Sequence, residues 1–149
     1  MFRPIGRQDR DTLVCLMREF YHSPAVLHPV PDAHFQKTAD LILAGTPYAD
    51  AYLFEEDGQT AGYALTAKTY SNEAGGLVLW LEEVYIRPAF QGRGIGGRFL
   101  RYLAEEYPEP IARLRLEVEE ANEGAARLYR RAGYRDFLYR QMIWDGSET

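Results

Sequence analysis

Apolar positions change their period several times along this chain, and each change predicts an element. Phe2 to Gly6 reads as a short first strand ended by Gly6. From about Gln8 to Tyr21, Leu13, Leu16, Met17 and Phe20 recur at helical spacing, with Asp9 and Asp11 in the first turn, where the helix dipole favours acid. Pro24, Pro29 and Pro31 make residues 23–31 an irregular connection. Asp32 then resembles the N-cap of a second helix reaching Ala44, buried through Phe35, Ala39 and Ile42 and ended by Gly45. Two period-2 stretches, Ala51 to Glu55 and Thr60 to Lys68, flank Asp57-Gly58, a hairpin signal. After a polar loop from Ser71 to Gly76 comes a continuous apolar run, Leu77-Val78-Leu79-Trp80-Leu81, followed by Glu82-Glu83-Val84-Tyr85-Ile86. Such a run predicts a strand covered on both faces, and Pro88 stops it near Arg87.

Phe99, Leu100 and Leu103 return to helical spacing, and Pro108 and Pro110 break the chain again. Leu114, Leu116 and Val118 alternate with polar neighbours as a half-exposed strand. Asn122 caps a helix with an inner face of Ala125, Leu128, Tyr129 and Ala132, ended by Gly133. Phe137 to Trp144 predicts a last strand, and Gly146 to Thr149 is expected to fray. The order is a mostly antiparallel meander followed by βα-βα-β. It predicts an α/β (α+β) fold: a mixed, mostly antiparallel sheet of six to seven strands, flanked by about four helices, in one domain over residues 1–149.

Between the long strand and the next helix stand four glycines, Gly92, Gly94, Gly96 and Gly97. A strand, glycine turn and helix in succession hold an anionic phosphate, because backbone N–H groups converge without Cβ interference and the helix N-terminus adds partial positive charge. The turn has no Gly-Lys-Ser/Thr, so it is not a P-loop. Gly92-Arg93-Gly94-Ile95-Gly96-Gly97 satisfies Gly-x-Gly-x-x-Gly, with Glu117 or Glu119 available for a ribose. A dinucleotide domain would normally begin with that unit, whereas here it falls past the middle of the chain.

Gln91-Gly92-Arg93-Gly94-Ile95-Gly96 resembles the Gln/Arg-x-x-Gly-x-Gly/Ala signature of the GNAT superfamily of acetyl-CoA-dependent N-acetyltransferases. Residues 122–134 resemble that family's second motif, Asn…Ala…Tyr…Gly-Phe, with Tyr134 in place of the usual Phe. The resemblance implies a GNAT-like fold whose fourth and fifth strands diverge. It implies acetyl-CoA as co-substrate, with the pantetheine arm on the backbone of Val84, Tyr85 and Ile86 and the pyrophosphate on Gln91, Gly92, Arg93, Gly94, Ile95, Gly96 and Gly97; no metal is implied. Asn122 is implied to touch the pantetheine arm. Tyr129 matches the family tyrosine whose hydroxyl reaches the coenzyme sulfur, the candidate acid; packing as a core aromatic is its structural alternative.

An aliphatic amine, of pKa roughly 10.4, arrives as a cation and needs a carboxylate to hold it and take its proton. Two consecutive carboxylates, Glu82 and Glu83, point to opposite faces of a covered strand, so at least one belongs to a cleft or a bulge. Leu81-Glu82-Glu83-Val84-Tyr85-Ile86 is similar to the Leu/Ile-Glu-Asp segment of polyamine and thialysine acetyltransferases, which gives the base role to Glu82. A salt bridge to an arginine is the structural alternative. The family's acceptor site borders the first two helices, making Tyr21, His28 and His34 candidate substrate contacts alongside Glu83.

Seventeen basic and 22 acidic residues leave a net charge of −5, which disfavours nucleic acid as the main partner. Arg87, Arg93, Arg98 and Arg101 around the glycine turn are candidates for the local positive charge a polyanionic coenzyme requires, or else a solvated helix face. No apolar run approaches the ~20 residues that span a bilayer, and no signal-peptide core opens the chain. A single cysteine, Cys15, excludes an internal disulfide, fits a cytoplasmic setting, and reads as a small packing residue within its helix. These readings converge on direct acetyl transfer to a primary amine, preferably small and cationic. A protein or peptide amine, a non-catalytic acyl-CoA-binding module and a nucleotide-dependent oxidoreductase are the alternatives. Many members of the family form homodimers, although no interface is marked in the letters.

Overall fold

Asp57 and Gly58 both take positive φ, 52° and 73°, the backbone of a two-residue hairpin turn whose twist matches its strands. That turn joins β2 (Ala49–Glu56) to β3 (Gln59–Ser71) with Glu56 opposite Gln59, as the Asp-Gly signal predicts. The computed structural model describes residues 1–147. β1 (Phe2–Pro4) pairs antiparallel with β2, and β3 with β4 (Gly76–Ile86). β5 (Arg113–Leu116) joins β4 in parallel, giving a sheet in the order β1-β2-β3-β4-β5. Helices α1 (Arg10–Tyr21), α2 (Asp32–Leu43), α3 (Ile95–Glu106) and α4 (Glu123–Arg131) complete the chain.

The period-2 alternation of the strands divides the core into two layers. Leu53 and Tyr63 turn to the face holding Leu13, Leu16 and Met17 of α1 and Phe35 of α2. Phe54, Leu79 and Leu81 turn to the other face, against Ile95, Phe99 and Leu103 of α3. Phe99 is fully buried, with ring centroids at 4.7 Å from Phe54, 5.4 Å from Phe2 and 5.6 Å from Tyr52. Truncation of such a ring to alanine costs about 3–5 kcal/mol, so Phe99 largely sets how firmly α3 is seated.

Several expectations are corrected. Among the described residues the sheet has five strands, not six to seven, and Phe137 to Trp144 does not pair. Tyr134 packs on the α3 face, whereas Phe137 lies over Arg113 and Arg115, whose neighbours Leu114 and Leu116 turn to the α3 face. Tyr134 and Phe137 thus lie on opposite faces of the sheet, and residues 134–147 form no ladder. Val118 falls outside β5 and is exposed. Asp32 is the first residue of α2, after Pro31 at the cap position, and its carboxylate pairs with Arg18 and Gln36. The first helix opens with a 3-10 turn over Arg7–Asp9. There Asp9 is buried, accepting from both terminal nitrogens of Arg3, at 2.7 and 2.9 Å, and from the Gly6 N–H at 2.7 Å. Cys15 is exposed, not packed, its thiol 3.7 Å from Glu19. The fraying expected over Gly146 to Thr149 lies partly outside the described residues. No helix among the described residues is long and apolar enough to cross a membrane.

Candidate active site

The site is built around one irregularity in β4. Leu65 pairs with Glu83 and Thr66 with Leu81, so Glu82 has no partner on β3 and forms a bulge. An extra residue reverses the alternation: Leu79 and Leu81 face α3 before it, and Val84 and Ile86 pack on that same face after it. Glu83 and Tyr85 are thereby sent to the α1/α2 face. On its other side β4 loses its partner at the same point. The parallel ladder with β5 ends at Leu81↔Leu116, and beyond it the backbone of Glu82 to Ile86 has no strand on that side among the described residues. The two strands thus part at Glu82, as expected for the fourth and fifth strands.

Glu82 is exposed in this opening. Its carboxyl pKa is raised, first by desolvation and then by Glu117, which follows β5. Glu83 is buried, accepting the Tyr21 hydroxyl at 2.5 Å and the Tyr63 hydroxyl at 3.0 Å. Desolvation raises its pKa, the tyrosine hydrogen bonds act in the opposite direction, and the nearby Glu82 charge adds a smaller upward push. Tyr21, expected as a substrate contact, donates its hydroxyl to this buried acid. His28 and His34 are exposed, and neither side chain has a hydrogen-bond partner among the described residues.

Past Ile86, a 3-10 turn over Pro88–Phe90 leads into the glycine turn. Gly92 and Gly94 take φ of 77° and 74°, a backbone that side chains with a Cβ rarely adopt, and Gly94 is the N-cap of α3. Gly96 serves closeness: a Cβ there would stand 3.1 Å from Leu128 of α4. Gln91 donates its side-chain amide to the Ile86 carbonyl at 3.0 Å, tying the turn to the end of β4 and occupying one of the carbonyls expected to be available to a pantetheine arm. The first N–H groups of α3 have no intrahelical partner, and the preceding stretch of β4 has no partner beyond Leu81 on the β5 side; these are the kinds of group that suit a phosphate and an extended amide chain.

Asn122 caps α4, its Oδ1 accepting from the Ala125 N–H at 3.2 Å. Tyr129 packs on the α3-side core, where Val84, Ile86 and Leu116 also pack, and burial raises its phenol pKa. It also lines a cavity of about 630 Å³ bounded by β5, α4 and residues 132–141. Most of the arginines proposed for the coenzyme are engaged with acids: Arg87 with Glu19 at 2.8 Å, Arg93 with Asp57 at 3.4 Å and Arg98 with Glu56 at 2.7 Å. Arg101 has no such partner among the described residues. It shares a hollow between α3 and α4 with Arg131, which sequence reasoning missed.

Tyr63 was also missed, and Glu117 entered only as a ribose contact in the dinucleotide reading. A tyrosine at an inward strand position carries no sign that its hydroxyl reaches an acid twenty residues away. Glu117 carried a signal, since it follows the strand paired with β4, but the parallel register was needed to set it beside Glu82.

Solved structures share this fold. A possible acetyltransferase from Clostridium difficile 630 superposes with a TM-score of 0.83 over 99% of this chain and 98% of its own, at 16% identity. An aminoglycoside N-acetyltransferase in complex with a CoA-containing bisubstrate analogue superposes with a TM-score of 0.79 over 99% of this chain and 97% of its own, at 14% identity. The fold is accordingly an acetyltransferase fold. Residues 13–134 match the Acetyltransferase (GNAT) family, and the chain belongs to it. Thialysine N-epsilon-acetyltransferases of Bos taurus and Sus scrofa are each 34% identical to it over 76 residues, covering 50% of this chain and 44% of the relative. The matched stretch thus spans less than half the length of these curated relatives.

Proposed function

We propose that the protein transfers an acetyl group from acetyl-CoA to a small cationic primary amine, directly, within a ternary complex and in one domain. The observation that carries this reading is the bulge at Glu82, where an exposed carboxylate of raised pKa stands between two parting strands and beside a glycine-rich helix start. The N–H groups from Gly92 to Gly97 hold the pyrophosphate, with Gln91 and Arg93 bracing the turn. The backbone of Val84 and Tyr85, and the Ile86 N–H, extend along the pantetheine arm, whose far amide reaches the Asn122 side chain.

Acetyl transfer needs a neutral amine, and Glu82 removes the ammonium proton, directly or through a water. The amine nitrogen then bonds to the thioester carbonyl carbon, and the carbon–sulfur bond breaks. Tyr129, kept protonated by its raised pKa, gives its proton to the departing thiolate. A raised carboxylate pKa also brings Glu82 closer to neutrality, where a base is most effective. No acetylated enzyme is required, and Cys15, on the exposed side of α1, has no role.

The acceptor enters against the α1/α2 side, where Glu83 with Tyr21 forms an acidic wall and His28 stands on the loop above. Glu82 and Glu117 near one opening favour an amine of high positive charge, and the relatives named for thialysine support an amine of that size. Incubation with acetyl-CoA and a panel of polyamines, diamino acids, aminoglycosides and peptides, followed by free thiol release, tests this reading. Turnover on small cationic amines is expected. Turnover only on peptides would move the acceptor class, and binding without turnover would make the chain an acyl-CoA-binding module.

A further inference from the structure

Arg115 is held by aromatic rings instead of by an acid. Leu114 and Leu116 pack on the α3 face, so Arg115 between them turns to the α1/α2 face. Its register partner Trp80 does the same between Leu79 and Leu81. The Arg115 guanidinium lies 4.1 Å from the Trp80 ring centroid and 4.7 Å from that of Phe137. Stacking of this kind holds the cation by its faces and leaves its N–H edge to find a partner elsewhere. Among the described residues that edge has no acid. Glu73, within electrostatic range, is already taken by Arg113 at 3.0 Å and by the Tyr139 hydroxyl at 2.8 Å. Arg113 is thus engaged, whereas half-buried Arg115 carries a fixed and unpaired charge.

That charge stands beside the proposed acceptor site. Arg115 precedes by two residues Glu117, the acid whose charge acts on Glu82. Arg115, Glu117 and Tyr129 line the same cavity of about 630 Å³. One cavity therefore combines an acid suited to an ammonium group, the phenol assigned as proton donor and a guanidinium with no counterion. Two residues of extended chain span at most about 7 Å, comparable to the reach of a lysine-like stem of about four carbons. An acceptor with positive charge alone gains from Glu82 and Glu117 but meets Arg115 as a like charge. An acceptor that also carries a carboxylate complements both, so Arg115 selects by attraction and by repulsion.

We infer that Arg115 binds a carboxylate on the acceptor, and that the acceptor is a diamino acid: a terminal ammonium and a carboxylate joined by a short carbon chain. The planar guanidinium receives the carboxylate in a bidentate pair, its orientation already set by Trp80 and Phe137. The terminal ammonium is thereby directed to Glu82. A polyamine or an aminoglycoside has no group to answer Arg115 and is disfavoured. This inference rests on the acetyltransferase reading of the site and deepens it by naming the acceptor class.

Calorimetric titration of L-lysine and of cadaverine, its decarboxylated counterpart, into the protein saturated with CoA tests it. Turnover of acetyl-CoA on the same two amines is the second readout. Wild type is expected to favour lysine by about 10–100-fold in Kd and in KM, the worth of hydrogen bonds to a charged group. Arg115→Gln should weaken lysine to the level of cadaverine and leave cadaverine unchanged or bound more tightly. Arg115→Lys, which keeps the charge without the planar fork, should retain part of the preference. Arg113→Gln is the control and should keep all of it, because Glu73 already engages that guanidinium. Turnover with no preference for lysine overturns the inference and leaves the proposed reaction standing. A preference in binding without turnover does the reverse. An Arg115→Gln protein that keeps the preference, or that loses both amines equally, overturns the inference, as does a wild type that binds neither.

Discussion

Glu82 and Glu83 are neighbours in the chain with opposite environments: Glu82 is exposed on the bulge where β4 parts from β5, while Glu83 is buried beneath the hydroxyls of Tyr21 and Tyr63. The bulge separates them, since its extra residue turns Glu83 towards α1 and leaves Glu82 with no partner across the ladder. A pair of acids that reads as redundant in sequence thus divides into one group open to solvent and substrate and one group held in place. If the roles follow the geometry, the two isosteric amides should behave differently.

Glu82→Gln should lower kcat by about 10²–10³-fold, the worth of a positioned general base, with the fold and acetyl-CoA affinity unchanged. Glu83→Gln should act chiefly on the acceptor, raising its KM more than it lowers kcat. It should also not destabilise the protein near neutral pH. The folded-state pKa of Glu83 lies above its unfolded value, so wild-type stability declines as pH rises through that pKa; the amide removes this decline. Melting temperatures of both proteins between pH 4 and 8, together with steady-state kinetics, check the pair of claims.

Glu117→Gln should move the acidic limb of the kcat/KM profile to lower pH. Desolvation is the larger cause of the raised Glu82 pKa, but the Glu117 charge is the second, and removing it makes Glu82 easier to ionise. The variant should therefore exceed wild type on the acidic side and match it on the plateau. A profile that shifts upward or not at all would separate this limb from Glu82.

Asp9→Asn should destabilise the fold by about 2–3 kcal/mol, because one buried carboxylate holds both the Arg3 guanidinium and the Gly6 N–H. Arg3 is the main reason its pKa is lowered. Its contribution is present above the unfolded carboxylate range and is lost as pH falls through the lower folded value. The wild-type advantage in urea unfolding should accordingly be full at pH 7 and diminish on acidification.

Features fixed by backbone chemistry were legible in the sequence. Pro88 ends β4, Asp57-Gly58 makes the hairpin turn, Asn122 caps α4, and the paired acids mark the bulge. What depends on the third dimension was not. Periodicity assigns a face to each strand residue but cannot say that Tyr63 and Tyr21, 42 positions apart, meet on one carboxylate. Nor can it exclude a strand: Phe137-Leu138-Tyr139 and Met142-Ile143-Trp144 have strand-forming residues at both parities, yet they join no ladder. Asp9 looked like a dipole partner because an ion pair with a residue on the first strand leaves no local trace.

Gly62 offers the last test, and it links packing to the proposed coenzyme groove. It lies on β3 opposite Ile86, and a Cβ built there would stand 2.0 Å from the Tyr85 carbonyl oxygen and 3.1 Å from the Ile86 Cα. Backbone cannot swing aside as a side chain does, so Gly62→Ala must displace β4 at the residues whose other edge faces the opening. Overpacking of this kind costs about 1–3 kcal/mol. It should also raise the KM for acetyl-CoA by roughly tenfold, the equivalent of about 1.4 kcal/mol, by misaligning the Tyr85 and Ile86 backbone. Gly124→Ala is the matched control: it sits in the exposed first turn of α4 with nothing within 4 Å of a new Cβ, and should leave KM unchanged and stability equal or slightly higher. Calorimetry and acetyl-CoA titration of the two variants distinguish a general loss of stability from a displaced groove. If Gly62→Ala melts earlier but binds acetyl-CoA as wild type does, this part of β4 does not carry the coenzyme.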